Sequence, residues 1–223
     1  MIQIIPSILT NDPEEAKKLI AQCEGLVDRI HIDIIDGKFA DNNTIDPTAL
    51  QNIETQTLMD FHLMVDEPIN WIEKCINSGA DRIIAQVERM TDQSAFVEKV
   101  QKAGVKSGLG LDLGTPVTIL EREILQEVDI ILVMSVEAGF GGQEFEPSVL
   151  TKFEQLDRIR AQDNTPFRLC DDGGITLENV KSVHYTGVEE IVIGRRLFDG
   201  DIKINLINFQ KAAHGVKTTN TKL

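Results

Sequence analysis

Short apolar runs rich in β-branched residues recur along the chain, and between them lie longer stretches whose apolar residues fall at helical spacing. The runs occupy residues 2–5, 27–34, 58–64, 81–87, 106–111, 130–134, 167–170 and 190–193. Helix starts sit between them. Asn11-Asp12-Pro13-Glu14 places capping residues before a proline with an acid in the first turn, and Glu67-Pro68 opens a helix to residue 77 closed by Gly79. Further helices are predicted over 94–102, closed by Gly104, after Thr115-Pro116, and over 148–161, 177–185 and 202–213. The pattern is that of eight successive βα units.

Eight parallel strands could close into a (β/α)8 barrel or spread into a doubly wound sheet. No GxGxxG follows the first strand, and polar residues gather where strands end: Ser7, His31 with Asp33, His62, Gln86 with Glu88, Asp112, Ser135 and Asp172. Only a closed ring brings all of those ends to one mouth, so the expected fold is α/β, a single (β/α)8 TIM barrel over residues 1–213. No Pro/Gly/Ser-rich spacer divides it, and residues 214–223 form a polar tail expected to be disordered.

Charge narrows the partners. Among 223 residues, 36 are acidic and 22 basic, a net charge of −14 and a pI of about 4.7, which opposes general affinity for nucleic acid or anionic membrane. An anionic substrate would have to be held by backbone N–H groups or a few arginines. The first residues lack the basic flank and cleavage site of a signal peptide, and no apolar run is long enough to span a bilayer, so a cytoplasmic location is expected. Cys23, Cys75 and Cys170 form no CxxC pair and suit a reducing compartment as small core residues.

The candidate chemistry begins at His31-Ile32-Asp33. Side chains in a strand repeat every second residue, so His31 and Asp33 share one face while Ile30, Ile32 and Ile34 take the other. A buried imidazole and carboxylate need partners; they are either an internal hydrogen-bonded pair or part of a metal or catalytic centre. In a barrel the ends of the second, third and seventh strands converge, and His62 and Asp172 join the pair. Two imidazoles and two carboxylates make an N₂O₂ set suited to one divalent ion, Zn²⁺, Fe²⁺, Mn²⁺ or Co²⁺. Gly141-Gly142, Gly173-Gly174 and Gly194 follow strands six, seven and eight, where a barrel commonly binds phosphate; singly, each glycine pair is no more than a turn.

Ordered motifs then point to a family. Pro6-Ser7-Ile8-Leu9, the stretch from His31 to Phe39 with Asn42 and Thr44 after it, and His62-Leu63-Met64 come first. Gly114-Thr115-Pro116-Val117, Met134-Ser135-Val136 leading to Gly139-Phe140-Gly141-Gly142-Gln143, and Asp172-Gly173-Gly174-Ile175 follow in order. With these motifs the chain resembles the ribulose-phosphate 3-epimerase family over nearly its whole length. The resemblance implies a metal-dependent epimerase that interconverts D-ribulose 5-phosphate and D-xylulose 5-phosphate through a metal-stabilised enediolate. It further implies a metal held by His31, Asp33, His62 and Asp172, with Asp33 and Asp172 as the opposed acid and base. Substrate contacts are expected from Ser7, His62, Gly139, Gly141, Gly142, Asp172, Gly173, Gly174, Gly194 and Arg195, and the protein is expected to be a dimer or larger homo-oligomer.

Departures from the family pattern cluster near the mouth: Ile35, Ala40-Asp41, Gln86, Asp112-Leu113, Glu137-Ala138 and Arg195-Arg196. None removes a ligand or a catalytic carboxylate. Asp112 and Glu137 would repel a phosphate if they pointed inward, and Arg195 could offset them; Arg196 is expected as a surface partner of acids such as Asp199. The altered residues leave a longer ketose phosphate, D-allulose 6-phosphate, as an alternative substrate. A non-catalytic sugar-phosphate-binding paralogue is the alternative of a different class.

Overall fold

A computed structural model describes residues 2–216 of the chain. Eight strands close into an all-parallel barrel in sequence order, β1 (Gln3–Ile8), β2 (Arg29–Ile35), β3 (Leu58–Met64), β4 (Ala80–Gln86), β5 (Lys106–Leu111), β6 (Ile130–Met134), β7 (Arg168–Asp172) and β8 (Glu190–Ile193). Helices α1 (Pro13–Cys23), α2 (Ile72–Asn77), α3 (Gln93–Lys102), α4 (Leu150–Asp163), α5 (Val180–His184), α6 (Arg195–Phe198) and α7 (Ile202–Ala213) lie in the connections and after β8. The expected (β/α)8 barrel is therefore the fold. Of the expected tail, residues 214–216 close α7, with Val216 N–H donating to the Lys211 carbonyl at 2.8 Å; residues 217–223 lie outside the described ones.

Strand alternation builds two cores. Outward side chains such as Ile30, Ile32, Ile34, Phe61, Leu109 and Leu169 pack beneath the helices. Inward ones fill the barrel in layers. At the N-terminal end Arg29, Asp60, Arg82 and Glu190 form a buried ionic layer. Above it lies an apolar layer that includes Ile5, Ile84, Leu132, Cys170 and Val192. Gly108 and Gly110 on β5 make room across the barrel: a Cβ at Gly108 would approach Ile84 to 2.9 Å, and one at Gly110 would approach Gln86 Oε1 to 2.8 Å.

Two strands run further than their sequence pattern suggests. β1 continues through Pro6 to Ile8, and β7 continues through Asp171 and Asp172. Asp171 is tolerated on the outer face because the Ser135 hydroxyl donates to it, and burial pushes its carboxyl well above the ordinary range. The helix expected after Thr115-Pro116 does not form. Val117, Leu120, Ile124, Leu125 and Val128 are buried at near-helical spacing, but Leu120 is extended (φ −70°, ψ 127°) and splits the segment into 3₁₀ turns at Val117–Ile119 and Ile124–Gln126. The Gln93 side chain explains why. Its amide donates to the Ile119 carbonyl at 2.9 Å and accepts from the Glu121 N–H at 3.3 Å, taking up backbone groups that a helix would have paired internally.

Candidate metal centre and active site

The site stands on the third inward layer. Asp33 on β2 pairs in register with His62 on β3, and Ser7 on β1 pairs with His31, so the ladder itself juxtaposes these side chains. Asp33 Oδ1 lies 3.1 Å from His62 Nδ1 and 3.4 Å from His31 Nε2. Asp172 Oδ2, arriving from β7, lies 3.5 Å from His62 Nδ1 and 3.6 Å from His31 Nε2. Ligand atoms of all four residues fall within 4.8 Å of one another. The two imidazole rings sit 5.0 Å apart, centroid to centroid.

The donor set fits a divalent cation. His31 is fully buried, and neither of its nitrogens has a hydrogen-bond partner among the described residues, an arrangement that is costly unless a ligand claims a lone pair. Burial alone would raise the Asp33 carboxyl, yet the two imidazoles against it, His31 at 3.4 Å and His62 at hydrogen-bond distance, hold it well below the ordinary carboxylate range. Burial likewise pulls His62 down, and the hydrogen bonds and charges of Asp172 and Asp33 outweigh it, pushing His62 up to about 9. The two carboxylates thus favour positive charge at this place, whether a proton on His62 or a cation.

Loop chemistry fixes the ligands from behind. Thr44 Oγ1 donates to the Asp33 carbonyl at 2.7 Å and accepts the Ile35 N–H at 2.9 Å, clamping the end of β2. Asp36 accepts N–H bonds from Lys38, Phe39 and Asp66, which turns the chain out of the strand at Gly37 (φ 74°). Asn42 Nδ2 donates to the Gly139 carbonyl at 2.7 Å and ties the loop after β2 to the loop after β6.

Above the carboxylates opens a cavity of about 520 Å³. Ser7, Asp33 and Asp172 line it, with Gly139, Gly141, Gly142, Gly173, Gly174, Gly194 and Arg195 around the same space and Met64, Met134 and Val136 as apolar contacts. Gly173 (φ 121°) and Gly174 (φ 63°) have conformations that L side chains rarely adopt, and a Cβ on Gly174 would run into the Phe145 backbone. His31 and His62 are fully buried and do not line this cavity, so His62, expected also as a substrate contact, stands behind the carboxylates rather than among the cavity-lining groups. The Ser7 hydroxyl donates to Asp33 Oδ2 at 2.5 Å.

Several mouth residues stand differently from their expected positions. The Asp112 carboxylate accepts the N–H groups of Leu113 (2.7 Å) and Ala138 (2.9 Å), and Glu137 is exposed; neither lines the cavity. The repulsion they would exert from inside does not arise. Arg196, expected as a surface partner of Asp199, lines the cavity beside Arg195, and among the described residues neither arginine has an ion-pair partner. Cys170 lies in the apolar layer below Asp172, its thiol pushed up by burial, and is filler. The sequence marks Gln86 as one of the polar strand ends and as a departure from the family pattern, without a partner; the structure places its amide nitrogen 3.2 Å from His62 Nε2.

Comparison with known proteins gives the family. A model of the ribulose-phosphate 3-epimerase family matches residues 3–198. The chain belongs to this family. It is 33% identical to the ribulose-phosphate 3-epimerase of Bacillus subtilis (strain 168) over 202 residues, covering 89% of this chain and 93% of the relative. It is 34% identical to the Synechocystis protein of that name over 223 residues, covering 98% and 94%. Among solved structures, 3-hexulose-6-phosphate synthase superposes with a TM-score of 0.69 at 14% identity, over 95% of this chain and 99% of that one, a likeness of fold. Epimerases of this family are isomerases, and this chain is an enzyme of that class. Among the described residues no helix is long and apolar enough to cross a membrane.

Proposed function

We propose that the chain is a metal-dependent ribulose-phosphate 3-epimerase that interconverts D-ribulose 5-phosphate and D-xylulose 5-phosphate, with Asp33 and Asp172 as its two proton carriers. The observation that carries this reading is the meeting of two carboxylates from different strands on the floor of one glycine-walled cavity, with two buried imidazoles beside them. Inverting a carbon beside a carbonyl needs one group to take the proton from one face and another to return a proton to the opposite face, since a single base tends to restore the original configuration. Asp33, from β2, and Asp172, from β7, reach the cavity from different sides of the barrel. One starts ionised and the other protonated, and the roles exchange in the reverse direction.

His31, Asp33, His62 and Asp172 would hold one divalent ion, Zn²⁺, Fe²⁺, Mn²⁺ or Co²⁺, which supplies a Lewis acid against the negative charge that develops as the proton leaves. The glycines after β6, β7 and β8 let backbone N–H groups approach a phosphate, and Arg195 adds a charged donor that the −14 net charge elsewhere does not provide. The same reading includes a dimer or larger homo-oligomer, which light scattering would test. The departures from the family pattern at the cavity mouth leave D-allulose 6-phosphate as the alternative substrate.

Incubation of the metal-loaded protein with each ketose phosphate in D₂O tests the reaction. Deuterium at C3 with D-ribulose 5-phosphate supports it, and preferential exchange with D-allulose 6-phosphate transfers it to the longer sugar. Phosphate-ligand binding without exchange at C3 in any ketose phosphate would leave the non-catalytic paralogue.

A further inference from the structure

His62 offers Nδ1 to the carboxylates, so the lone pair that a cation would take is the one on Nδ1. Its other nitrogen, Nε2, meets the Gln86 side-chain amide at 3.2 Å. Gln86 is fully buried at the C-terminal end of β4, and its Oε1 has no hydrogen-bond partner among the described residues. Gly110 on the neighbouring strand leaves just enough room for that amide, since a Cβ there would sit 2.8 Å from Oε1.

A neutral imidazole carries one proton. If Nδ1 is to be bare toward a cation, the proton must be on Nε2, and a buried Nε2–H needs an acceptor. An amide can serve both states of the ring. With its nitrogen toward His62 it donates to a bare Nε2 while Nδ1–H bonds Asp33; turned by half a revolution about its last torsion it presents oxygen to Nε2–H and leaves Nδ1 free.

We propose that Gln86 is a positioning residue for the metal centre, its amide setting the orientation and tautomer of His62 so that Nδ1 is available to the ion. This rests on the metal reading above. Gln86 touches neither the cavity nor the carboxylates, so it acts through His62 alone. His31 has no such partner, which makes His62 the ligand whose readiness depends on a specific neighbour.

The test uses the full chain, stripped with a chelator and titrated with Co²⁺ by calorimetry and visible absorption, for wild type, Gln86→Met and Gln86→Glu. Methionine keeps the volume and removes the acceptor; Co²⁺ affinity should fall about 10- to 100-fold while the metal-free melting temperature is not lowered. Glutamate keeps an acceptor and should bind Co²⁺ at least as tightly as wild type. Nitrogen-15 shifts of the Zn²⁺-loaded wild type should show the His62 proton on Nε2. Wild-type affinity in Gln86→Met, a loss in Gln86→Glu as large as in Gln86→Met, or a proton found on Nδ1 would overturn the proposal. Should Gln86→Met fail to fold, the glutamate variant and the nitrogen-15 shifts decide it. Wild-type protein that takes up neither Co²⁺ nor Zn²⁺ would instead overturn the metal reading on which it stands.

Discussion

Ser7 Oγ donates to Asp33 Oδ2 at 2.5 Å across the β1–β2 ladder, so the carboxylate held to be a proton carrier has one oxygen on a neutral donor and the other turned to the histidines. A hydrogen bond to a charged group contributes about 1.5–3 kcal/mol. Ser7→Ala should therefore cut kcat/KM by about 10- to 100-fold while leaving the fold intact. Steady-state kinetics with circular dichroism as control measures this, and unchanged kinetics would remove Ser7 from the machinery.

Asp172 reaches the cavity with one oxygen against both histidines. Asp172→Asn keeps the shape and removes the exchangeable proton, so turnover should drop by about 10²- to 10⁴-fold. Exchange at C3 in D₂O should fall with it. Loss of turnover with exchange retained at the wild-type rate would mean that Asp172 serves only the second proton transfer, not the first.

Much of this arrangement is legible in residues and their parity. His31 and Asp33 two positions apart on an apolar run, and glycines after three successive strands, are visible without coordinates because both follow from local periodicity. The Gln86–His62 contact is not, for it depends on the β3–β4 register, which shifts between Met59 and Asp60 and sets His62 beside Ile84. Arg196 is similar: whether an arginine after β8 meets Asp199 or the cavity is decided by the short α6 turn, not by its neighbours in sequence. Residues 117–128 carry helical spacing, yet the Gln93 amide, remote in sequence, competes for their backbone.

The proton held between His62 and the carboxylates must leave before a cation can enter. His62 is raised to about 9 by Asp172 and Asp33, against the ordinary 6.5. Below pH about 9 each metal ion bound displaces that proton, so affinity should rise by about tenfold per pH unit until about 9 and then level off. The metal-free fold responds in the opposite sense: the stability that a raised His62 contributes is complete below pH 6.5 and is lost as pH rises through about 9. Co²⁺ titrations at stepped pH check the first statement and urea midpoints of the stripped protein check the second.

Arg195 lines the cavity beside Gly194 with no ion-pair partner among the described residues. Its planar fork suits a phosphate better than an ammonium would. Arg195→Gln should raise KM for a phosphorylated ketose about tenfold or more, with kcat changed far less, because the phosphate is held alike in ground and transition states. A fall in kcat at constant KM would place Arg195 in the chemistry instead.

The opposite end of the barrel separates stability from catalysis. Arg82 lies between Asp60 and Glu190, 2.6 Å from the latter; Arg29 reaches Asp60 and, at 2.6 Å, Asp81; Arg168 meets Glu190 at 2.7 Å. Arg29 and Arg82 are buried along with Asp60 and Glu190, so neither arginine beside Asp60 can turn to water if that acid is removed. Deleting one partner of such a network costs up to about 3–5 kcal/mol, because one buried positive charge is then left in excess even though Arg82 keeps Glu190 and Arg29 keeps Asp81. Asp60→Asn should thus lower the urea midpoint sharply. The apolar layer of Ile84, Leu132, Cys170 and Val192 stands between this network and Asp33, so the folded fraction should keep wild-type kcat and KM. Normal stability would show that the network repacks around asparagine, whereas an altered kcat in fully folded protein would show that strain crosses the apolar layer to the carboxylates.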